Sequence, residues 1–179
     1  MRKRLMLSTV VLFIVALLFS TKGWSQQDKA SRPSPPDSVT GKVGDATITI
    51  NYSSPSVKGR QIWGGLVPYG KVWRAGANEA TIFTTDKPIQ VEGKTLPAGR
   101  YSLFATPGEN EWTFIFNSET GQWGIKRTGE ANRDPAKDVL SVKAKPRKSA
   151  SLNERLSYVI TGNGFELRWE NIEVPVTIK

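Results

Sequence analysis

Cysteine and histidine, two residues that carry much of enzyme chemistry, are both absent from the 179-residue sequence. Without cysteine there is no disulfide, no thiolate nucleophile and no thiolate metal site. Without histidine the chain lacks the commonest general base, every serine–histidine triad and the commonest zinc ligand. Carboxylate, lysine, tyrosine or serine–lysine chemistry is what remains. No metal site and no cofactor is expected. A third scarcity is the helical stripe: no sustained i, i+3, i+4 apolar pattern runs through the chain beyond its first residues.

The one long apolar run is N-terminal. Arg2, Lys3 and Arg4 precede a stretch from Leu5 to Phe19 that is broken only by Ser8 and Thr9. Gly23 and Ser25 follow at the spacing a signal peptidase reads. The run is about 15 residues, short of the ~20 that span a bilayer. Residues 1–25 are therefore expected to be a cleaved signal peptide, with an uncleaved anchor as the competing reading. No cysteine follows the run, so a lipid-modified N-terminus is excluded. The expected location is periplasmic or secreted, with no membrane span after cleavage. Export does not require disulfides where the core is large enough.

The remaining 154 residues suffice for one domain. They carry 21 basic and 16 acidic residues, a net charge of +5, against +9 for the whole chain. Apart from KAKPRK at 143–148 the cations are dispersed, and nucleic acid is not an expected partner.

Residues 26–38, QQDKASRPSPPDS, are polar and rich in proline and serine, and read as a disordered linker. A single domain is expected over 39–179. There the dominant signal has period two. Ile48, Ile50 and Tyr52 alternate with polar residues, and Trp112, Phe114 and Phe116 share a face. PIQVEG and RYSLFAT read as a hairpin pair, and PGEN at 107–110 turns RYSLFAT into EWTFIFN. Val139–Ala144 is a further strand. Leu156–Thr161 and Phe165–Trp169 flank the turn GNG, and Ile172, Val174, Val176 and Ile178 close the chain. Only Gly129–Lys137 could hold a short helix. About nine strands with frequent turns predict an all-β fold, an antiparallel β-sandwich or a jelly-roll-like barrel.

The stretch 52–79, YSSPSVKGRQIWGGLVPYGKVWRAGANE, is long for a loop in a small β domain and too apolar to be disordered. With its continuation to EWTFIFN, QWG at 122–124 and the C-terminal GFELRWENIEVPVTI, it closely resembles a group of exported bacterial proteins. That group is a domain of unknown function, family 2911. The resemblance implies export and a β domain, and it carries no activity, cofactor or catalytic residue.

The residues themselves offer a candidate ligand site. Tyr52, Arg60, Trp63, Lys71, Trp73, Arg74, Asn78 and Glu79 interleave aromatic faces with charges, as in a concave site that stacks a ring and fixes its polar groups. Trp123 of QWG is a further stacking candidate. The alternative is that the tryptophans plug the open end of a sandwich while Arg74 and Glu79 form a structural ion pair. Gly64, Gly65, Gly70 and Gly76 read as turn residues needing positive φ. Trp112, Trp169, Phe114, Phe116 and Phe165 read as core.

The leading expectation is a non-catalytic domain binding a small or oligomeric ligand, carbohydrate among the candidates. A carboxylate-dependent hydrolase centred on Glu79 and a structural or protein-docking module are the alternatives. A glycosidase would need a second carboxyl roughly 5–9.5 Å away, and no spacing supplies one.

Overall fold

The computed structural model describes residues 29–179, so the expected signal segment at 1–25 lies outside the described residues. Strands β1 (Pro36–Val43) and β2 (Ala46–Ser53) open the domain as a hairpin. In β2, Ile48, Ile50 and Tyr52 are buried while Asn51 is exposed, as the period-two pattern predicts. The domain starts earlier than expected. Pro36, Asp37 and Ser38, assigned to the linker, pair with Ser53, Tyr52 and Asn51. Asp37 explains this, because its carboxylate accepts from the Tyr52 hydroxyl at 2.8 Å and from the Ser38 N–H at 2.7 Å.

Strands β3 (Thr81–Thr85), β4 (Ile89–Val91), β5 (Lys94–Leu96), β6 (Gly99–Thr106), β7 (Trp112–Asn117) and β8 (Asp138–Ala144) follow. An antiparallel six-stranded sheet runs β1-β2-β3-β6-β7-β8. PIQVEG does not pair with RYSLFAT. Instead β4 turns onto β5 through Glu92 and Gly93, both at positive φ (47° and 77°), as a two-residue hairpin turn requires. RYSLFAT, which is β6, pairs with β3 and β7.

The second layer is a long hairpin of β9 (Arg147–Thr161) and β10 (Gly164–Thr177). The chain's end joins it to β4: the N–H of Gln90 donates to the Lys179 carbonyl at 2.8 Å, and the N–H of Lys179 donates back at 2.9 Å. The result is a ten-stranded, sandwich-like antiparallel domain and not a closed barrel. Trp112, Phe114 and Phe116 face Phe165 and Leu167 in the core. The segment Gly129–Lys137 holds only a three-residue 3-10 turn, Pro135–Lys137, capped by the Asp134 carboxylate. Among the described residues no helix is long and apolar enough to cross a membrane.

Two long connections cover the outer face of the six-stranded sheet. Val72 from 54–80 and Ala131 from 118–137 pack over Phe104 and Ile115, the outward residues of β6 and β7. A cavity opens where these two connections meet.

Candidate functional site

The 54–80 connection is ordered because backbone and core hold it at intervals. The Val57 N–H donates to Glu154 at 2.8 Å and the Leu156 N–H to Pro55 at 2.9 Å, tying its start to β9. Ile62, Trp63 and Val67 are then buried around a tight turn, in which Val67 N–H donates to the Ile62 carbonyl at 2.9 Å. Trp73 exchanges two backbone hydrogen bonds with Ala105, at 2.7 and 2.8 Å, and so continues the pairing along β6 beyond the Thr81–Leu103 pair. Gly64 and Gly70 sit at positive φ, as expected. Gly65 and Gly76 do not. At Gly76 the requirement is space, since a Cβ would lie 2.7 Å from the Thr81 hydroxyl.

These anchors bring four indoles together. Trp63 packs edge-on against Trp73, Trp112 and Trp169 at centroid distances of 5.9, 4.8 and 5.6 Å, while Trp73 stacks on Trp169 at 6.0 Å. The Trp73 N–H donates to the Gly76 carbonyl at 3.0 Å. The indole N–H groups of Trp63 and Trp169 are buried with no acceptor among the described residues. Such orphaned donors are uncommon in a native interior.

Trp73 and Trp169 form part of the wall of a cavity of about 800 Å³. Leu66, Val67 and Val72 add apolar surface from the first connection, and Ile125 adds more from the second. Four cations line the same space: Arg60, Lys71, Arg74 and Arg133. Glu130, which is exposed, is the one carboxylate lining it among the described residues. Arg133 is paired with Asp138. Arg74 is half-buried, donates to the Trp123 carbonyl at 3.3 Å, and lies over the Trp123 ring at 6.0 Å. Burial pulls its guanidinium below the ordinary value, and the negative charge of Glu79 partly offsets this. Arg60 is fixed by backbone carbonyls, its Nε donating to Val57 at 3.0 Å and its Nη2 to Ser56.

Of the residues singled out in the sequence, Arg60, Lys71, Trp73 and Arg74 line the cavity. The others do not. Tyr52 is core, stacked edge-on against Tyr158, and burial together with the Asp37 hydrogen bond pushes its phenol well above the ordinary range. Trp63 is the hub of the indole cluster and is buried behind the wall. The Asn78 amide donates to the Ser34 carbonyl at 2.8 Å. Glu79 is half-buried and influences Arg74 without lining the cavity. Trp123 is 47% exposed and supports Arg74 from outside.

The sequence reading missed Arg133, Glu130 and Ile125, which come from the twenty-residue connection between β7 and β8. Its length was the available signal, the same one that drew attention to 52–79. It also placed Trp169 in the core only. That residue is core and wall at once, 1% exposed yet bordering the cavity.

The fold and site thus define a two-layered antiparallel β domain with a basic, tryptophan-walled cavity beneath two long connections. The chain belongs to the family described as protein of unknown function, DUF2911, whose profile matches residues 34–178. No curated protein and no solved structure matches it.

Proposed function

We propose that this chain is an exported, non-catalytic domain that binds a small or oligomeric ligand in the cavity between the two long connections. The observation that carries the reading is the wall itself: one cavity, within the roughly 300–1,000 Å³ of ordinary ligand sites, bordered by stacked indoles and fixed cations. The indole faces suit a ring, which includes the apolar face of a sugar. The hydrolase alternative requires two facing carboxyls. Glu79 does not line this cavity and Glu130 is alone there among the described residues, so binding is favoured over carboxylate catalysis.

The test is a thermal-shift and tryptophan-fluorescence screen of the protein against neutral and charged oligosaccharides and small aromatic compounds, repeated with Trp73→Ala. A ligand that raises Tm, perturbs the indole emission and binds Trp73→Ala at least roughly fivefold more weakly supports the reading, since loss of stacking is worth ~1 kcal/mol or more. Binding equally tight in the variant would overturn it. Intact mass of the protein from a secreting host tests export, with a mature start at Gln26 expected and retention of Met1–Ser25 contradicting cleavage.

A further inference from the structure

We infer that the ligand taken by this cavity is an acid: a carboxylate, phosphate or sulfate group carried on an apolar ring or chain. The inference rests on the cavity being the binding site and specifies what enters it.

Arg133 is matched by Asp138, and Arg74 feels the charge of Glu79. Arg60 and Lys71 have no carboxylate partner among the described residues. Arg60 is held by two neutral carbonyls, which fix the guanidinium without discharging it and leave three of its five N–H groups to bond elsewhere. Surface cations are commonly unpaired, so an unmatched lysine or arginine alone means little. These two, though exposed themselves, differ because they border the same cavity as a half-buried third cation, Arg74, beside indole and aliphatic walls.

A second observation points the same way. The Trp169 indole N–H is buried, has no acceptor among the described residues, and belongs to a ring that borders the cavity. Acid oxygens are strong acceptors for the guanidinium and ammonium donors that line the cavity. Glu130 opposes an anion, but it is exposed and accepts only a 3.4 Å hydrogen bond from the Thr128 hydroxyl. Solvent screens it more than it screens Arg74. The apolar lining excludes a bare inorganic anion as the best ligand, because Leu66, Val67, Val72 and Trp73 would gain nothing from it.

Two matched pairs of probes test this: anilinonaphthalene sulfonate against N-phenylnaphthylamine, and naphthyl phosphate against naphthol. Each pair keeps the aromatic body and changes only the acid group, and the two acids separate sulfonate from phosphate preference. The acid member is expected to bind the protein at least roughly tenfold more tightly, an advantage that shrinks as salt is added. Lys71→Gln, and Arg60→Gln with Lys71→Gln, should erase most of that advantage while leaving the neutral probes unchanged. Lys71→Gln makes no demand on folding, since its ammonium has no partner among the described residues, and an unchanged urea midpoint verifies this; Arg60→Gln also removes two hydrogen bonds to backbone carbonyls, so native near-UV circular dichroism is the control for the double variant. Equal affinity within each pair, or a preference that survives both variants, overturns the acid inference and leaves the cavity reading standing. Failure of all four probes to bind, or binding indifferent to Trp73→Ala, overturns both.

Discussion

Gly124 lies against Arg74 so closely that a Cβ on the glycine would sit 2.8 Å from both Cβ and Cδ of the arginine. This contact explains why QWG matters in a segment with no regular structure. The glycine lets the second connection pass beneath the guanidinium, while Trp123 supplies the ring and carbonyl that hold it. Gly124 is also at φ +87°, so a side chain there is strained apart from the contact.

Gly124→Ala should therefore destabilise the domain by about 1–3 kcal/mol, combining positive-φ strain with overpacking. Urea denaturation measures it. Because Arg74 is what must move, ligand affinity should fall in the folded variant as well. A variant of unchanged stability and affinity would mean that Arg74 is not positioned from below.

A second glycine tests the curl of β10. A Cβ on Gly164 would meet the Val176 carbonyl oxygen at 2.0 Å and the Ile178 nitrogen at 3.0 Å, both backbone atoms that have little room to yield. Gly164→Ala is expected to cost at least about 3 kcal/mol or to prevent folding. Gly162→Ala, in the same turn with nothing within 4 Å, should stay within roughly 0.5 kcal/mol. Comparing expression and urea midpoints of the pair checks the close approach of the two ends of β10.

The indole cluster makes an equally sharp contrast. Trp63 touches three other tryptophans and is buried, so Trp63→Ala should cost about 3–5 kcal/mol. Trp123 is 47% exposed and carries Arg74 over its ring at 6.0 Å, so Trp123→Ala should cost about 1 kcal/mol or less. Near-UV circular dichroism should change far more for the first variant than for the second.

How much of this was legible beforehand depended on which physical signal each residue left. Ile48, Ile50 and Tyr52, like Trp112, Phe114 and Phe116, announce strands because alternation follows directly from the pleat. The β4–β5 hairpin was hidden because Glu92, not asparagine or aspartate, occupies the first turn position. It is held there by β10, whose Thr177 carbonyl accepts its N–H at 2.9 Å. Residue type could not separate Trp73, which borders the cavity, from Trp63 behind it, since both are apolar, aromatic and in the same loop. The opposite wall left no period at all: Ile125, Glu130 and Arg133 are neighbours of the cavity through loop path alone. Trp169 was assigned to the core because alternation reports burial and not what the buried face borders.

Stability should also depend on acid. Burial pushes the Glu173 carboxyl up, but hydrogen bonds from Ser149 and Arg147, with the charges of Arg168 and Arg147, outweigh it and hold the group below its ordinary value of 4.5. A carboxylate depressed in the folded state stabilises it above the unfolded pKa, and that contribution fades as pH falls through the folded pKa. Urea midpoints should therefore drop below about pH 4.5, and Glu173→Gln should flatten part of the fall. Asp86, held low chiefly by the Thr47 N–H at 2.7 Å, retains a share of the dependence in the same variant. A midpoint profile identical in the wild type and Glu173→Gln would contradict the assignment.

The last prediction concerns Ala75, which joins the cavity-lining residues Arg74 and Gly76 and is itself fully buried at φ +51°. An alanine in the left-handed region costs roughly 1–2 kcal/mol, so the surrounding structure must hold it there. Two hydroxyls do so. Thr81 Oγ1 donates to the Ala75 carbonyl at 3.0 Å and the Tyr158 phenol donates to the same oxygen at 2.8 Å. Removing either alone leaves the buried carbonyl with one donor, so Thr81→Val or Tyr158→Phe should each cost about 0.5–1.5 kcal/mol. Removing both orphans the carbonyl, which adds a desolvation penalty of about 1–3 kcal/mol that neither single variant incurs. The double variant should thus lose more stability than the two singles together, with a coupling of roughly 1 kcal/mol by double-mutant cycle. Strictly additive losses would show that the strained wall of the cavity is held by something other than this shared carbonyl.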